Sequence, residues 1–568
     1  MFRLFLLSYY IPAGNLKSNI FPREDFYLPL SYDKPYHKIM TPHETILKKV
    51  GFASFIMMAS VFASRVIGVF REMTIAGTGG IKAGVDAYQI AFIIPEILNH
   101  IVASGFLSIT FIPIFTHYLF SGRKEEGYRV FSIIMNSFGG LLLGFILITM
   151  VWADTFVHVL APGITDPVTL ALAVKMTRII IPAQLFFFCG GLLMAVQFAN
   201  EKFFIPALAP LIYNLAIILG GLFLAPAMGM EGFAWGVLAG AFLGNFAIQL
   251  VGAKKIGLRY FLTVSFIHPD LKRYVILTLP LMLGLTMTFS TEILLKYFGS
   301  WLTEGSIASM NYALRIMFIL VGLFGQAVGV ASYPFMAKLA GQGNLTELNR
   351  LLNSTLKYIV LVIPFSVLFI IISREIVVLL FQRGQFDVHA TLVTASILPF
   401  FLCGTFGFAA QTIVSRGYYA LQNTLFPALF SSLCVIISLP LIYFLMKLLG
   451  PRGIALGLSL SVVLQAFVLF ECWNKKSRNT KKNEVYLFFL KIIPVSLAIG
   501  FILFSSVFVL RNIFYSMTFQ GAFIIAVISG IEFLILFFLA GRIFKIHEII
   551  VLYEKFSKKA FPWIKKLN

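Results

Sequence analysis

The sequence predicts an all-α polytopic membrane protein with about fourteen transmembrane helices, arranged as two six-helix lobes and two extra C-terminal helices. Three observations support this fold class. Hydrophobic residues make up 59% of the 568-residue chain and charged residues only 12%, whereas an ordinary globular domain has about 25% charged residues. Apolar runs of roughly 20 residues, long enough to cross a bilayer, recur along almost the whole chain. Finally, the two halves of this apolar region match each other at one constant spacing.

Each predicted span is an apolar run bounded by charged, glycine-containing or proline-containing connections. A helix is expected for each run, because a helix satisfies its own backbone hydrogen bonds in lipid, where water is absent. The spans are predicted at residues 50–70, 87–118, 130–158, 168–198, 203–225, 231–253, 273–297, 306–337, 351–373, 388–415, 424–447, 453–473, 486–510 and 519–543.

The net charge of +21 raises nucleic acid as a partner, but the positions of the basic residues argue against it. Lysine and arginine gather in alternate connections, and the connections between them are nearly uncharged, as in Ala161-Pro162-Gly163. Basic residues concentrate in cytoplasmic loops of membrane proteins. The sequence therefore predicts that both termini are cytoplasmic and that no nucleic acid binds. The basic groups include Lys48 and Lys49, Arg123, Lys124 and Arg129, Lys254, Lys255, Arg259, Lys272 and Arg273, Lys475, Lys476 and Arg478, and Lys555, Lys558 and Lys559.

The cysteines and the N-terminal segment indicate no further site. Cys189, Cys403, Cys434 and Cys472 lie in or at the ends of apolar spans and form no C-x-x-C pair, so we expect core residues rather than metal ligands. The segment before Met40 lacks the ordered regions of a signal peptide. It is expected to be disordered, or untranslated if Met40 is the start. No catalytic residue, metal site or cofactor is predicted.

An internal repeat organises the spans. One constant shift along the chain places Gly84 on Gly305 and Pro206-Ala207-Leu208 on Pro427-Ala428-Leu429, with further matches along both halves. Each half holds six spans, so both run in the same direction, as in parallel-repeat transporters that bind substrate between two lobes. The predicted domains are an N-terminal extension at 1–47, an N-lobe at 48–254, a basic cytoplasmic linker at 255–272, a C-lobe at 273–475, appended helices at 476–543 and a basic cytoplasmic tail at 544–568.

Charged residues at membrane depth are the first candidates for function. Arg65 and Arg315 each have a long apolar stretch on one side, and an arginine in hydrocarbon costs several kcal/mol and cannot lose its proton. We expect both to line a wet cavity and to bind an anion together with Arg71, because the guanidinium fork suits phosphate oxygens. At the shift of the repeat Arg71 falls on Glu292, so the lobes share a scaffold but differ in charge.

Two roles that need no ligand stay open for these charges. The arginines would be neutralised within the protein if Arg71 paired with Asp86 and Arg65 with Glu96, although a substrate that displaces a carboxylate allows both arrangements. Charged groups near span ends can also reach the membrane surface without entering a cavity. This second role applies to Asp86, Lys296, Lys357 and Arg416.

A series of short motifs follows the same order along the spans. Ser64-Arg65-Val66-Ile67-Gly68-x-x-Arg71-Glu72 comes first, then Asp86-Ala87-Tyr88, Tyr312-Ala313-x-Arg315, Phe381-Gln382-Arg383-Gly384-x-Phe386 and Gly417-Tyr418-Tyr419-Ala420. In combination these motifs resemble the MurJ (MviN) family of lipid II flippases, and the resemblance runs from about residue 48 to residue 473.

The resemblance implies a transporter rather than an enzyme. Its substrate would be lipid II, an undecaprenyl-pyrophosphate-linked disaccharide-pentapeptide, moved from the inner to the outer leaflet of a bacterial plasma membrane by alternating access. Peptidoglycan synthesis and cell shape would depend on it, and its partners would be membrane lipids and cell-wall synthesis proteins. The family's cavity arginines fall on Arg65, Arg71 and Arg315, and its acids on Glu72 and Asp86.

Part of the expected site departs from the family pattern. The family often has L-x-R-R-x-x-A-E-G where this chain has Leu98-Asn99-His100-Ile101-Val102-Ala103-Ser104-Gly105. Asn99 and Ser104 thus replace an arginine and a glutamate, and Leu314 replaces the acid that often precedes the third arginine. Asn99 is the expected substrate contact at its position, and a related polyprenyl-linked substrate stays open.

The same residues bear on alternative functions and on the energy source. An O-antigen-type exporter of another polyprenyl-linked oligosaccharide follows the same physical logic, whereas the arginines argue against a multidrug antiporter. No P-loop pattern occurs, so ATP is not expected to drive the chain directly. The return step would use the membrane potential or a coupling cation at Glu96 or Glu292, and the sequence does not choose between them.

Overall fold

The structure of the protein is a computed structural model that describes residues 42–99, 106–285 and 290–560. Every regular element in these ranges is helical, which confirms the all-α fold class. The chain divides into one unit before residue 60 and one from Ser60 onward, and all contacts described below lie within the second. We call Ser60–Lys255 the first half and Pro269–Ser477 the second half.

The helices follow one another with short connections. Two π-helical segments, Ala241–Ala247 and Val321–Gln326, continue α10 and α14 without a break. The α-helices are α1 (Pro42–Gly79), α2 (Ala83–Ala91), α3 (Ile93–Leu98), α4 (Phe106–Phe120), α5 (Lys124–Val151), α6 (Ala153–Leu160), α7 (Pro167–Ile180), α8 (Ala183–Ala199), α9 (Phe204–Met228), α10 (Glu231–Gly240), α11 (Ile248–Lys255), α12 (Pro269–Leu285), α13 (Ser290–Gly299), α14 (Ser306–Leu320), α15 (Ala327–Gly341), α16 (Leu345–Val360), α17 (Val362–Ile371), α18 (Ser373–Phe381), α19 (Val388–Leu402), α20 (Thr405–Ala420), α21 (Leu425–Leu449), α22 (Pro451–Ser477), α23 (Lys482–Ile513), α24 (Phe519–Ile543) and α25 (His547–Ala560).

Ten helices among the described residues are long and apolar enough to cross a membrane, and the count is eleven if α19 and α20, bent by 43°, form one span. Each of the eleven matches a predicted span. The predicted spans at 87–118 and 273–297 run across residues outside the described ranges, and the side chains of the span at 50–70 are described only from Ile56 onward. The number fourteen therefore stays a prediction.

Helices α9 and α21 agree with the predicted repeat. Their first residues, Phe204 and Leu425, and their last residues, Met228 and Leu449, are related by the shift that places Gly84 on Gly305. The glycine after each helix has nearly the same backbone angles: φ 59° and ψ −138° at Gly229, φ 57° and ψ −132° at Gly450. The repeat over the full length of both halves stays a prediction.

The expectation that the cysteines are core residues is wrong for Cys403, which is exposed, whereas Cys189, Cys434 and Cys472 are partly buried. The physical reason is that an apolar side chain in a membrane protein loses nothing by facing lipid. Apolar character alone therefore does not report burial in this chain. All four thiols are free.

The appended helices α23 and α24 pack against the second half. The ring of Phe365 in α17 lies 4.9 Å from that of Phe533 and 5.5 Å from that of Phe537, both in α24. The guanidinium of Arg511 in α23 pairs with the buried carboxylate of Glu375 at 2.8 Å. The two helices are thus attached to the second half by both apolar and ionic contacts.

Candidate functional site

Helix α1 of the first half and the helical run from α14 through its π-helical segment in the second half pass each other in opposite directions. Residues later in α1 therefore contact residues earlier in the α14 run. Residues 65 to 80 cover about 22 Å of helix at 1.5 Å per residue, so the contacts extend over about four helical turns of α1. In order, Arg65 Nη2 donates to Gln326 Oε1, Arg315 Nε lies 3.8 Å from Glu72 Oε1, and Tyr312 Oη donates to the Gly80 carbonyl at 3.3 Å.

Arg71 is held within the first half. Its Nη2 lies 2.6 Å from Glu72 Oε1, and its Nη1 donates to Asn214 Oδ1 at 3.0 Å. The amide of Asn214 in turn donates to Ser64 Oγ at 3.1 Å. Helix α9 therefore fixes the direction of the Arg71 side chain, and Glu72 balances its charge.

Arg315 is held by a carboxylate of its own half. Its Nη1 and Nη2 donate to the two oxygens of Glu292 at 3.1 and 3.4 Å, which is the bidentate geometry that suits a guanidinium. The Nε atoms of Arg315 and Arg71 are buried and have no hydrogen-bond partner among the described residues. Buried donors normally have a partner, water or an ion, so each of these two atoms retains an unused hydrogen-bond donor.

Glu96 and Lys296 form an ion pair between the halves. Lys296 Nζ lies 2.7 Å from Glu96 Oε2, and the lysine side chain is only 2% exposed. Glu96 is also close enough to Glu292 and Arg315 to interact with both electrostatically. The alternative pairing of Glu96 with Arg65, which the sequence left open, is not formed, and the interpretation of Lys296 as a residue that reaches the membrane surface is wrong. A buried ammonium needs a carboxylate more than the exposed Arg65 does.

Asp86 lies apart from this cluster and caps a helix of the other half. Its Oδ2 accepts from Gly305 N at 2.7 Å and its Oδ1 accepts from Ala308 N at 2.8 Å. These amides begin α14, and the first amides of a helix lack partners within the helix and carry partial positive charge. The alternative pair of Asp86 with Arg71, which the sequence left open, is therefore not formed. The interpretation of Asp86 as a surface-reaching residue is also wrong, since Asp86 is buried.

The two halves meet closely around this cap. Gln385 N donates to the Gly77 carbonyl at 2.8 Å, and Lys82 Nζ donates to Gln385 Oε1 at 2.7 Å. In the neighbouring connections, Gly163 N donates to Ser300 Oγ at 3.1 Å. All these contacts surround the end of α1, which the charge pattern predicts to face away from the cytoplasm. The halves are thus closed at that end.

Farther from this closed end, Arg65 and Gln326 are both exposed. The linker after α11 lies along α5, where Phe261 N donates to Ser132 Oγ and Asn136 Nδ2 donates to the Phe261 carbonyl, both at 3.0 Å. The linker therefore moves with the first half if the halves separate.

The structure thus brings together five of the predicted site residues, namely Arg71, Glu72, Glu96, Glu292 and Arg315. Arg65 lies about 10 Å farther along α1, seven residues before Glu72. Asn99 is partly buried at the end of the first described range, and His100 and Ser104 lie outside the described residues. Lys357 reaches Glu484 and Glu548 instead of the cluster, at 3.5 and 3.6 Å. Among the described residues, no group of three or more His, Cys, Asp and Glu side chains is placed to hold a metal ion.

Sequence reasoning missed three members of the site, Gln326, Asn214 and Lys296. A search for charges overlooks the first two, which are neutral amides in apolar helices. Their polarity at membrane depth was the available signal, because a buried or membrane-embedded amide also needs partners. Lys296 was visible as a charge, but its position near a span end hid its role.

The sequence model of the family described as "Lipid II flippase MurJ" matches residues 75–523 of this chain. The lipid II flippase MurJ of Burkholderia cenocepacia is 26% identical over 449 residues, which cover 77% of this chain and 86% of that protein. A probable lipid II flippase MurJ of Buchnera aphidicola subsp. Schizaphis graminum is 28% identical over 454 residues, covering 78% of this chain and 88% of that protein.

Solved structures show the same fold. A lipid II flippase MurJ in an inward closed conformation superimposes with a TM-score of 0.70 at 24% identity, covering 86% of this chain and 99% of that one. An inward-facing multidrug resistance transporter of the MATE family superimposes with a TM-score of 0.63 at 14% identity, covering 74% and 96%. At these identities the likeness concerns the arrangement of helices only.

Proposed function

Because this chain belongs to the MurJ family of lipid II flippases, we propose that it moves lipid II from the inner to the outer leaflet of a bacterial plasma membrane by alternating access. The proposed activity is transport, so the residues of the site bind and release a substrate without forming a covalent bond to it. We further propose that both termini are cytoplasmic, which makes the closed end of the halves the outer one.

The observation that carries the proposal is the charge cluster between the halves. Within the described ranges, three cations, Arg71, Lys296 and Arg315, pair with three carboxylates, Glu72, Glu96 and Glu292. Arg65, seven residues before Glu72 on α1, contacts the neutral amide of Gln326. Counted together with Arg65, these groups carry one more positive than negative charge, and an unbalanced charge at membrane depth is costly. A diphosphate offers negative charge and several acceptor oxygens, and arginine binds such groups with two parallel hydrogen bonds.

The unpartnered atoms indicate where the diphosphate would approach. Arg71 Nε and Arg315 Nε are buried donors without a partner in the described part of the chain, and Arg71 and Arg315 belong to different halves. Both arginines also contact Glu72, at 2.6 and 3.8 Å. A phosphate group near Glu72 would compete with this carboxylate for both guanidinium groups.

This competition gives a route from binding to movement. With the site empty, Glu72 attracts Arg315 and Glu96 attracts Lys296, so the carboxylates of the first half hold the cations of the second half. A diphosphate that takes over these cations weakens the contacts that favour the present state and lowers the energy of a state with a different separation of the halves. A ligand shifts a conformational equilibrium only by such a difference in affinity between the states.

For the return step, the contacts favour the membrane potential over a bound cation. Glu96 and Glu292 already accept from Lys296 at 2.7 Å and from Arg315 at 3.1 Å, so a coupling cation would have to displace a basic side chain. The potential acts on net charge and supplies about 2.3 kcal/mol per elementary charge per 100 mV. The site has such a net charge whenever the diphosphate has left.

The test is replacement of a bacterium's own lipid II flippase. Cells depleted of that protein would express this chain, and the lipid II exposed on the outer leaflet would be measured. We expect the wild-type chain to restore exposure and Arg65→Ala and Arg315→Ala to reduce it at least tenfold. No rescue by a well-expressed wild-type chain overturns the substrate assignment, and export of a different polyprenyl-linked oligosaccharide would identify the alternative.

Arg178→Ala is the matched control. Arg178 is another arginine of the apolar region, but it is exposed and its Nε donates to the Met150 carbonyl at 2.9 Å, away from the charge cluster. We expect this variant to restore lipid II exposure like the wild type. If Arg178→Ala fails as severely as Arg65→Ala at equal protein levels, the loss does not report the site.

A further inference from the structure

Arg65 differs from the other three cations of the site in the charge of its partner. Arg71, Arg315 and Lys296 each contact a carboxylate, whereas Arg65 Nη2 donates to the amide oxygen of Gln326. Among the described residues, Arg65 is therefore the cation of the cluster whose charge is not balanced by its own partner. This contact between the halves therefore joins a cation to a neutral group.

Local structure in the second half brings Gln326 to Arg65. Gln326 is the last residue of the π-helical segment Val321–Gln326, and π-helical turns are rare and frequent at functional sites. Gly322 in the same segment makes room for the arginine, because a Cβ atom there would lie 3.0 Å from Arg65 Nη1. Arg315 and Gln326 are about three helical turns apart, so both side chains point toward α1.

An amide is suited to a partner that must be exchanged. The oxygen of Gln326 accepts from Arg65 in the empty site, and its NH2 group carries two donors that a phosphate oxygen can accept. A rotation of the amide can direct either its oxygen or its NH2 group toward the partner, with no change in the charge of the side chain. A carboxylate at this position would instead pair with Arg65 and repel an incoming phosphate.

We propose that Gln326 is a diphosphate ligand contributed by the second half, which releases Arg65 to the substrate and then donates its own amide to the same diphosphate. This inference rests on the proposed function and names a contact within it. Arg65 and Gln326 would then bind the diphosphate from opposite halves, at a position about 10 Å along α1 from the one near Glu72. Gln326 would act as a specificity residue, since its two donors favour binding of a ligand with several phosphate oxygens.

The test is ligand binding by the purified full-length protein in lipid nanodiscs. The probes are undecaprenyl diphosphate and undecaprenyl monophosphate, and the variants are Gln326→Glu, Gln326→Ala and Gln326→Asn. We expect Gln326→Glu to weaken diphosphate binding at least tenfold and Gln326→Ala several-fold, while monophosphate binding changes less for Gln326→Ala. Gln326→Asn keeps the amide and should retain part of the affinity.

Gln342→Glu is the matched control for the new charge. Gln342 follows α15 on the same helical run, is exposed and is separated from Gln326 by the whole length of that helix. The Gln342→Glu variant should bind both probes like the wild type. When Arg65 is already replaced by alanine, the further change Gln326→Glu should lower the affinity for undecaprenyl diphosphate much less than it does alone. The reason is that the new carboxylate has no Arg65 to pair with.

The outcomes separate this inference from the proposed function. If the wild type binds undecaprenyl diphosphate and Arg65→Ala does not, but Gln326→Glu and Gln326→Ala bind it like the wild type, Gln326 is no ligand and the proposed function stands. If the wild type does not bind undecaprenyl diphosphate, both proposals fail. Gln326 is exposed, so the variants are expected to fold, and a thermal unfolding curve for each checks this.

Discussion

Lys296 of the second half donates to Glu96 of the first half at 2.7 Å, 200 residues away along the chain, and the lysine side chain is 2% exposed. The pair lies beside Glu292 and Arg315, so it belongs to the same charge cluster as the arginines. Ion pairs between the halves of a transporter have two roles. They neutralise charges that would be costly in the membrane, and they stabilise one arrangement of the halves.

Removing the charge of one partner of this pair should lower the stability of the protein more than removing both charges. Lys296→Met leaves the Glu96 carboxylate without its cation, and losing one member of a buried pair costs about 3–5 kcal/mol. Glu96→Gln combined with Lys296→Met should recover much of that loss, since no charge is left unpaired. Thermal unfolding of the purified variants in detergent measures the difference. Equal stability of the single and double variants would show that the pair is not coupled.

The helix cap across the halves predicts an effect of Asp86 on conformation. Asp86→Ala removes both acceptors of the Gly305 and Ala308 amides, and loss of a cap costs about 0.5–2 kcal/mol. Because the cap joins the halves, its loss destabilises the closed arrangement. We expect the outer end to open more often, which labelling of a cysteine introduced at Ser300 would report in a background without the four native cysteines.

Asp166 provides the control for that prediction. It caps α7 within the first half, where its carboxylate accepts from Val168 N and Thr169 N. Asp166→Ala should lower stability without changing the labelling rate at position 300. If both aspartate variants raise the labelling rate equally, the Asp86 cap has no special role in closing the halves.

Gly305 should tolerate no side chain. It has φ +81°, and an added Cβ atom would lie 2.1 Å from the Ile81 carbonyl oxygen of the first half. Gly122 also has positive φ, at +73°, but nothing lies within 4 Å of its Cβ position. Gly122→Ala should therefore cost only the backbone strain, about 1–2 kcal/mol, and keep activity. Gly305→Ala should also separate the halves and reduce flipping severely.

A crosslink at the closed end should arrest transport. Lys82 and Gln385 are joined by a hydrogen bond of 2.7 Å between the halves, so a short bifunctional thiol reagent should link cysteines at these two positions. Alternating access requires this end to open, and the linked protein should lose flipping until the link is cleaved. Each single cysteine variant treated with the same reagent is the control. Unimpaired flipping by the fully linked protein would argue against opening at this end.

The sequence predicts the members of the charge cluster better than their partners. Arg65, Arg71 and Arg315 stand out because a charge in an apolar span must find water or an opposite charge, which is a local statement about each residue. Asp86 pairs with backbone amides of α14, and no side-chain pattern reveals such acceptors. Which face of a helix meets the other half depends on packing, so the pairing of Glu96 with Lys296 rather than Arg65 could not be read from spacing.

The fold is predictable to a similar degree. Apolar length indicates eleven spans from α5 onward, without the one predicted across α12 and α13, and the positions of Gly229 and Gly450 follow from the shift of the repeat. The burial of individual apolar residues is not predictable, as Cys403 shows, because lipid and protein interiors are similarly apolar. The amide contact of Arg65 was hidden for another reason, since it depends on the π-helical turn that ends at Gln326.

We propose that this chain moves a lipid diphosphate through the arginine cluster between its halves. The most direct measurement is flipping of lipid II in proteoliposomes that contain only the purified chain and an imposed membrane potential. We expect lipid II to cross much faster than in protein-free liposomes, with Arg65→Ala and Arg315→Ala near the protein-free rate and Arg178→Ala near the wild type. Flipping at the protein-free rate by the folded wild type, or at the wild-type rate by both cluster variants, would overturn this proposal.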